Sequence, residues 1–457
     1  MRIGASEASV TGLAGLAGVQ ELIVGLDMVG ALDAGIGRVK QRDRGVSGGQ
    51  LLIGMATAQL AGQDCRAGLD RVRADAGSAL LTTAPVPPST TAASIAGRFI
   101  PDRVAGIETG LGRVYRWWLA VGPASVRAAL VLRNPTIDLD ASDVEVFGRT
   151  KRNVGWTYAG VRAGRVHLAS WAQAELPLAD LLAGDDDVRP AAGQLLQRAL
   201  AVLPSQVCGR PRVRPDAGYF DAALAQAADL LGCDFAVAAA TAPRGGPARR
   251  SRKPTGRARG ACPAGRSRPA TTPRRAGPPA ATRSSAGPRS TWSGCRPIRG
   301  PAAAGPSRKT SSRWRSAAPP TTSGRPASSS PTSRPTAATT SAWKRNFRNR
   351  TSIEERFREA KLGAGVNHLP SADPTVNTVW MWAGLLAGAT SVMLQALTGP
   401  DPRTGGRTRI ATLRHRLLAV PGRLIRHARG LTLRLPPDRH QLLSTALARL
   451  RALPATT

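Results

Sequence analysis

Acidic residues are scarce in this chain, and over one long stretch they vanish. Its 457 residues carry 64 Lys and Arg against 29 Asp and Glu, a formal net charge of +35, with no acidic residue between Asp234 and Glu354. Leucine is missing over nearly the same interval, from Leu231 to Leu362, and 243–343 holds one isoleucine, Ile298. Such a segment cannot bury enough apolar surface to offset an ordering cost of roughly 1–2 kcal/mol per residue, which excludes an ordinary packed domain there. Cysteine is also sparse. Cys65, Cys208, Cys233, Cys262 and Cys295 show no close pairing and no ligand spacing with His. A disulfide framework or zinc site is therefore not expected, in keeping with a reducing cytosol. The first residues lack the charged, apolar and cleavable order of a signal peptide.

What fills 243–343 instead is Arg, Pro, Ala, Gly, Ser and Thr, with roughly twenty of the net positive charges. Three readings compete: an evolved Arg-rich arm, a long flexible linker, or a GC-rich coding stretch translated out of frame. The frameshift is preferred, because composition switches abruptly at both edges. In each case the segment is expected to be disordered. The overall charge points to a polyanionic partner, with nucleic acid ahead of a membrane surface.

Residues 1–127 read as mostly helical, with a Ser47 cap and a Pro-led helix at 87–99. That second helix fits the entry to a recognition helix or an ordinary capped helix equally well. Arg113-Val-Tyr-Arg-Trp117-Trp118 favours core packing over nucleic-acid contact. From 134 the pattern turns to strands at 136–147, 165–171 and 175–182. A helix opening at Pro190, a strand at 212–215, a helix at 220–231 and a strand at 235–239 follow. The uncharged run 374–400 is long enough to cross a membrane, but Asn377, Thr378, Thr390, Ser391 and Gln395 interrupt it, so a buried helix is preferred. Residues 407–451 read as basic amphipathic helices.

Three acidic motifs carry the chemistry. The first is Ile137-Asp-Leu-Asp140-Ala-Ser142, where period-two alternation puts Asp138, Asp140 and Ser142 on one face. The second is Arg214-Pro-Asp216-Ala-Gly218-Tyr-Phe220. The third runs from Phe347 to Lys361 and sets Phe347, Arg350, Glu354 and Lys361 along one helical stripe. A stripe of this kind also fits a plain salt-bridge ladder, with Arg350 and Lys361 merely pairing Glu354 or Glu355. Asp143 and Glu145 are expected to be solvated or structural, and Asp185-Asp-Asp187 a polar loop.

In this order the three motifs resemble the signature of DDE transposases of bacterial insertion sequences. The closer likeness is to the group whose last motif reads Tyr, two residues, Arg, three, Glu, six, Lys, with Phe347 here in the Tyr position. The resemblance covers about 19–240 and 343–454, and implies an α/β fold. An RNase H-like core, begun at 128–242 and completed by the Glu354 helix within 344–457, would lie between helical N- and C-terminal regions. The N-terminal 1–127 would bind DNA, and 243–343 would stand where the family has a β-rich insertion domain. The resemblance further implies metal-dependent phosphodiester cleavage and strand transfer, with Asp140, Asp216 and Glu354 as catalytic and metal-binding carboxylates for two Mg²⁺ or Mn²⁺ ions. Asp138 is the rival for the first position; Asp140 is chosen because Ser142 then completes Asp-x-Ser/Thr. Arg350, Lys361 and Phe347 would contact the DNA end. The partners implied are terminal inverted repeats and target DNA, bound by a homodimer in the cytoplasm at the nucleoid, with no membrane. With its middle segment out of frame, the chain is expected to be inactive. A non-catalytic DNA-binding remnant is the alternative.

Overall fold

A computed structural model describes residues 7–42, 44–157, 159–184, 187–219, 221–236, 351–399, 406–428 and 430–454. The chain divides at Ala242 and Arg334 into a compact unit, Met1–Ala242 with Arg334–Thr457, and a second unit, 243–333. The second unit lies wholly outside the described residues, as do Phe220, Phe347 and Arg350. The expectations of a disordered 243–343 and of a strand beyond 236 fall there too.

The first unit opens with a two-residue strand, β1 (Val10–Thr11), and eight helices. These are α1 (Leu16–Gly25), α2 (Met28–Ile36), α3 (Gly48–Leu60), α4 (Ala67–Ala74), α5 (Ala76–Leu81), α6 (Ser89–Ala96), α7 (Pro101–Val121) and α8 (Ala124–Val131). Helix α3 begins with a capping box, in which Ser47 accepts from the Gln50 amide and the Gln50 side chain accepts from the Ser47 amide. Helices α2 and α7 approach through glycine. A Cβ on Gly106 would stand 2.5 Å from the Gly35 carbonyl oxygen, so only hydrogen permits this contact. Tyr115 and Trp118 of α7 are buried, and Trp117 donates to the Gly25 carbonyl at 3.1 Å. The aromatic cluster is core, as expected. The start of α6 is tied to α4, since both the amide and the hydroxyl of Ser89 donate to Asp70.

A mixed sheet follows: β2 (Thr136–Glu145), β3 (Gly155–Trp156), β4 (Arg162–Trp171), β5 (Leu176–Ala183), β6 (Arg212–Pro215) and β7 (Asp234–Phe235). The order is β3-β4-β2-β6-β7, and β5 also pairs with β4. Strand β2 runs antiparallel to β4 and parallel to β6, which is parallel to β7. Register shifts between Ala169 and Ser170, where β4 meets Pro177 of β5. Proline has no N–H to give the ladder, so an irregularity at that point is natural. Helices α9 (Arg189–Val202) and α10 (Ala222–Leu230) connect β5 to β6 and β6 to β7. Three antiparallel strands followed by two parallel ones are the arrangement expected of an RNase H-like core.

After the second unit comes the helix Thr351–Arg358, which runs into a π-helical turn, Glu359–Gly363. The uncharged stretch forms one helix, Pro374–Thr398, capped by Asp373. It alone among the described residues is long and apolar enough to cross a membrane, but 89% of its apolar window is buried within this unit. Trp380 and Trp382 are fully buried, and Trp380 donates to the Gly365 carbonyl at 3.1 Å. It is a core helix. The C-terminal region differs from expectation. Between short helical turns (Ile410–Leu413, Arg414–Leu418) and a last helix (Pro437–Arg451) stands a hairpin, β8 (Gly422–His427) and β9 (Gly430–Arg434). Strand β8 pairs with β1 from the other end of the chain. Arg and Leu recur there at spacings compatible with either period. Pro421, Gly430 and the distant β1 edge decide for strand.

Candidate active site

Strands β2 and β6 bring two of the three expected carboxylates together. Their parallel ladder pairs Leu139 with Pro215, and the Asp216 amide continues it by donating to the Leu139 carbonyl at 2.9 Å. Asp216 therefore emerges beside Asp140. A 3₁₀ turn, Ala217–Tyr219, leads the chain away: the Tyr219 amide donates to the Asp216 carbonyl at 2.9 Å, and the Gly218 amide to its carboxylate at 3.4 Å. Asp140 accepts from the Ala141 amide at 2.9 Å. Both carboxylates are half-buried and line an open cavity of about 710 Å³, together with Ser142, Asp143, Arg165, Asp187, Arg189 and Tyr219.

Asp138 shares the β2 face with Asp140 but is sealed inside. It is fully buried and forms a bidentate pair with Arg214 (2.6 and 2.8 Å), and the Ser352 hydroxyl donates to it at 3.2 Å. Buried charge of this kind persists only when paired and hydrogen-bonded. Asp138 is occupied with holding β2, β6 and the Glu354 helix together.

The Glu354 helix lies over the Asp140 face. Ile353 and Phe357 anchor it in the core. Ser352 bonds to Asp138, and the Lys361 ammonium donates to the Ser142 hydroxyl and the Asp143 carbonyl, each at 2.6 Å. Residues 138 and 142 flank Asp140 on one face of the strand, so these bonds pin the helix on either side of it. Burial lowers the Lys361 pKa, against the opposing charge of Asp143. Glu354 itself is exposed and does not line the cavity. Among the described residues no three His, Cys, Asp or Glu side chains are grouped closely enough to hold a metal ion. Neighbouring Glu355 pairs with Arg358 and Arg409, and Arg356 with Glu175.

Asp143, expected to be solvated or structural, is structural: Arg165 binds it bidentately across the β2–β4 ladder, at 2.7 and 3.1 Å. Other functional-looking groups escaped the sequence reading. Asp187, read as part of a polar loop, lines the cavity and is held at a pKa of about 2, chiefly by the Arg189 side chain. The one signal was an acidic run, Asp185-Asp-Asp187, one residue ahead of Arg189-Pro190 at a helix start. Beneath the cavity Tyr219 and His167 form a buried edge-to-face pair, Oη to Nδ1 3.2 Å. Burial and then the Arg165 charge draw His167 down to about 4. Tyr219 is raised by burial and by the charges of Asp140 and Asp216. The imidazole is neutral and the phenol protonated, so neither adds charge near the carboxylates.

Two family descriptions match the chain: "Transposase DDE domain" over residues 132–387, and "Transposase DDE domain group 1" over residues 331–455. No curated protein and no solved structure matches it. The first match spans more than half the chain and contains Asp140, Asp216 and Glu354. On its strand order, its paired aspartates and this match, the chain belongs to the DDE transposase family, with an RNase H-like core.

Proposed function

We propose that this protein is a transposase of the group with the Tyr-Arg-Glu-Lys last motif, built to cleave DNA at transposon ends and join them to target DNA. The observation that carries the proposal is the placement of Asp140 and Asp216 side by side in one open cavity, beneath a helix pinned on both sides of Asp140. DDE transposase domains generally use divalent metal ions. The donor set fits Mg²⁺ or Mn²⁺, since it offers hard carboxylate oxygens. The described cavity lining carries four carboxylates against two guanidiniums, two negative charges in excess, which would repel a phosphodiester until cations neutralise it. Asp140, Asp216 and, from the overlying helix, Glu354 would hold two ions. When bound, such ions activate the attacking oxygen and neutralise the leaving one. The protein's own part is to orient. Asp138–Arg214 fixes the β2–β6 register and therefore the Asp140–Asp216 spacing. Tyr219 and His167 close the floor beneath them.

Arg350, Lys361 and Phe347 would meet the DNA end. Lys361 reaches a phosphate only by releasing Ser142 and the Asp143 carbonyl. Residues 1–127 would add DNA contacts, and a homodimer would bring two ends together. The composition of 243–343 motivates the further proposal that the middle segment is out of frame and that the chain does not transpose as written. The position of Glu354 outside the cavity favours, as the second reading, a DNA-binding remnant that does not complete its active site.

One experiment separates these readings. Nicking of a duplex carrying the element's ends is measured in Mg²⁺ for the unaltered chain and for one with the frame restored across codons 240–350. The unaltered chain should not cut, and the restored chain should. Asp140→Asn, Asp216→Asn or Glu354→Gln in the restored chain should then lower cutting by at least about a hundredfold, as loss of a metal ligand does. Cutting by the unaltered chain would overturn the inactivity proposal. A restored chain that binds DNA and never cuts would establish the remnant.

A further inference from the structure

We infer that Arg189 holds a backbone phosphate of bound DNA beside the Asp140–Asp216 pair, and that Asp187 occupies that guanidinium while DNA is absent. The inference rests on the DNA-processing reading above and adds to it a substrate-positioning residue that no motif of the sequence marks. Two guanidiniums line the cavity, and they are held differently. Arg165 is 15% exposed, projects from within the sheet, and grips Asp143 on the neighbouring strand. Asp143 in turn gives its carbonyl to Lys361, so that pair is part of the framework. Arg189 is 54% exposed at the cavity rim. It donates through Nε (2.8 Å) and Nη2 (2.9 Å) to the two carboxylate oxygens of Asp187, only two residues away. An exposed pair of this kind contributes little to stability, so its partner can be exchanged at small cost.

The guanidinium fork that accepts two carboxylate oxygens fits two non-bridging phosphate oxygens equally well. Its base does not drift. Arg189 is the first residue of α9, whose Ala192, Leu195, Leu196 and Ala199 are buried in the core. The preceding residue, Val188, is buried and stands against Gly218, in the turn that follows Asp216. The rim arginine and the Asp216 carboxylate are thus fixed to one another by packing. Helix α9 starts at this point and adds its positive end to the same spot. On DNA binding, two phosphate oxygens replace the two oxygens of Asp187, with no covalent change. Until then, Asp187 keeps the cation aimed and partly masked.

The test reads Arg189 directly, because the Arg-rich 243–343 would dominate any bulk affinity measurement. The unaltered full-length chain is treated with phenylglyoxal in Mg²⁺, with and without a saturating short duplex, and labelling is resolved by peptide mass spectrometry. Labelling of Arg189 should fall severalfold with duplex, while Arg165 stays slowly labelled throughout. In Asp187→Asn, Arg189 should label faster without DNA and reach half-protection at a severalfold lower duplex concentration. Equal labelling of Arg189 with and without a duplex that protects other arginines within 132–236 would overturn the inference and leave the transposase reading standing. Protection in the wild type with an unchanged half-point in Asp187→Asn would overturn the placeholder role. No protection anywhere in 132–236 would overturn both the inference and the DNA-processing reading.

Discussion

Asp138 and Asp180 are both buried carboxylates in this sheet, and they are stabilised in opposite ways. Asp138 is matched by Arg214 and Ser352, so removing the partner leaves an uncompensated charge. Arg214→Met should destabilise the protein by about 3–5 kcal/mol in denaturant titration, whereas the double change Asp138→Leu with Arg214→Met should recover much of that loss. Asp180 is 2% exposed, and neither carboxylate oxygen has a hydrogen-bond partner among the described residues. Burial raises its pKa well above the ordinary value; Arg198 on α9 opposes the shift, and Glu108 on α7 adds to it. Glu108 is itself bound by Arg198. A raised carboxyl keeps its proton in the fold after the unfolded chain, with a pKa of about 3.9, has lost it, so stability declines as pH rises through that window. Asp180→Asn should therefore melt higher than wild type at pH 8 and level with it near pH 4.

At the scale of elements, the Glu354 helix is the piece most dependent on a few bonds. Its C-terminal continuation is a π-helical turn, which places Lys361 against β2 and lets Glu359 accept from the Ile410 amide at 2.6 Å. Lys361→Met keeps the aliphatic stem and removes two hydrogen bonds from a charged donor, a loss of about 3–6 kcal/mol. Amide exchange across 352–361 should quicken by at least about tenfold, while the interior of the Pro374–Thr398 helix keeps wild-type protection. Unchanged exchange in 352–361 would show that Ile353 and Phe357 hold the helix without the lysine.

For the whole molecule, the charge of +35 should govern how DNA is met. Log affinity should fall linearly with log salt, by about 0.9 per phosphate neutralised. Deleting 243–343 should make that slope shallower, because roughly twenty of the positive charges leave with the segment. Affinity that stays flat between low and moderate salt would contradict the electrostatic account.

The sequence alone determined whatever depends on neighbours along the chain. The alternation of 136–145, the Arg-Val-Arg-Pro strand before Asp216, the uncharged run that became a core helix and the spacing of the acidic motifs all have local causes, and the family followed from them. Tertiary structure decided what depends on contacts between distant residues. Asp138 and Asp140 are equivalent by alternation. Arg214, 76 residues away, buries one of them, while the other lines the open cavity. The Asp187–Arg189 pair joins the site because Val188 packs on the Asp216 turn. The β8–β9 hairpin replaces an expected helix because β1 supplies an edge from the opposite end of the chain. Burial and pairing set the charge state and reach of a side chain, and both arise only when separate segments meet.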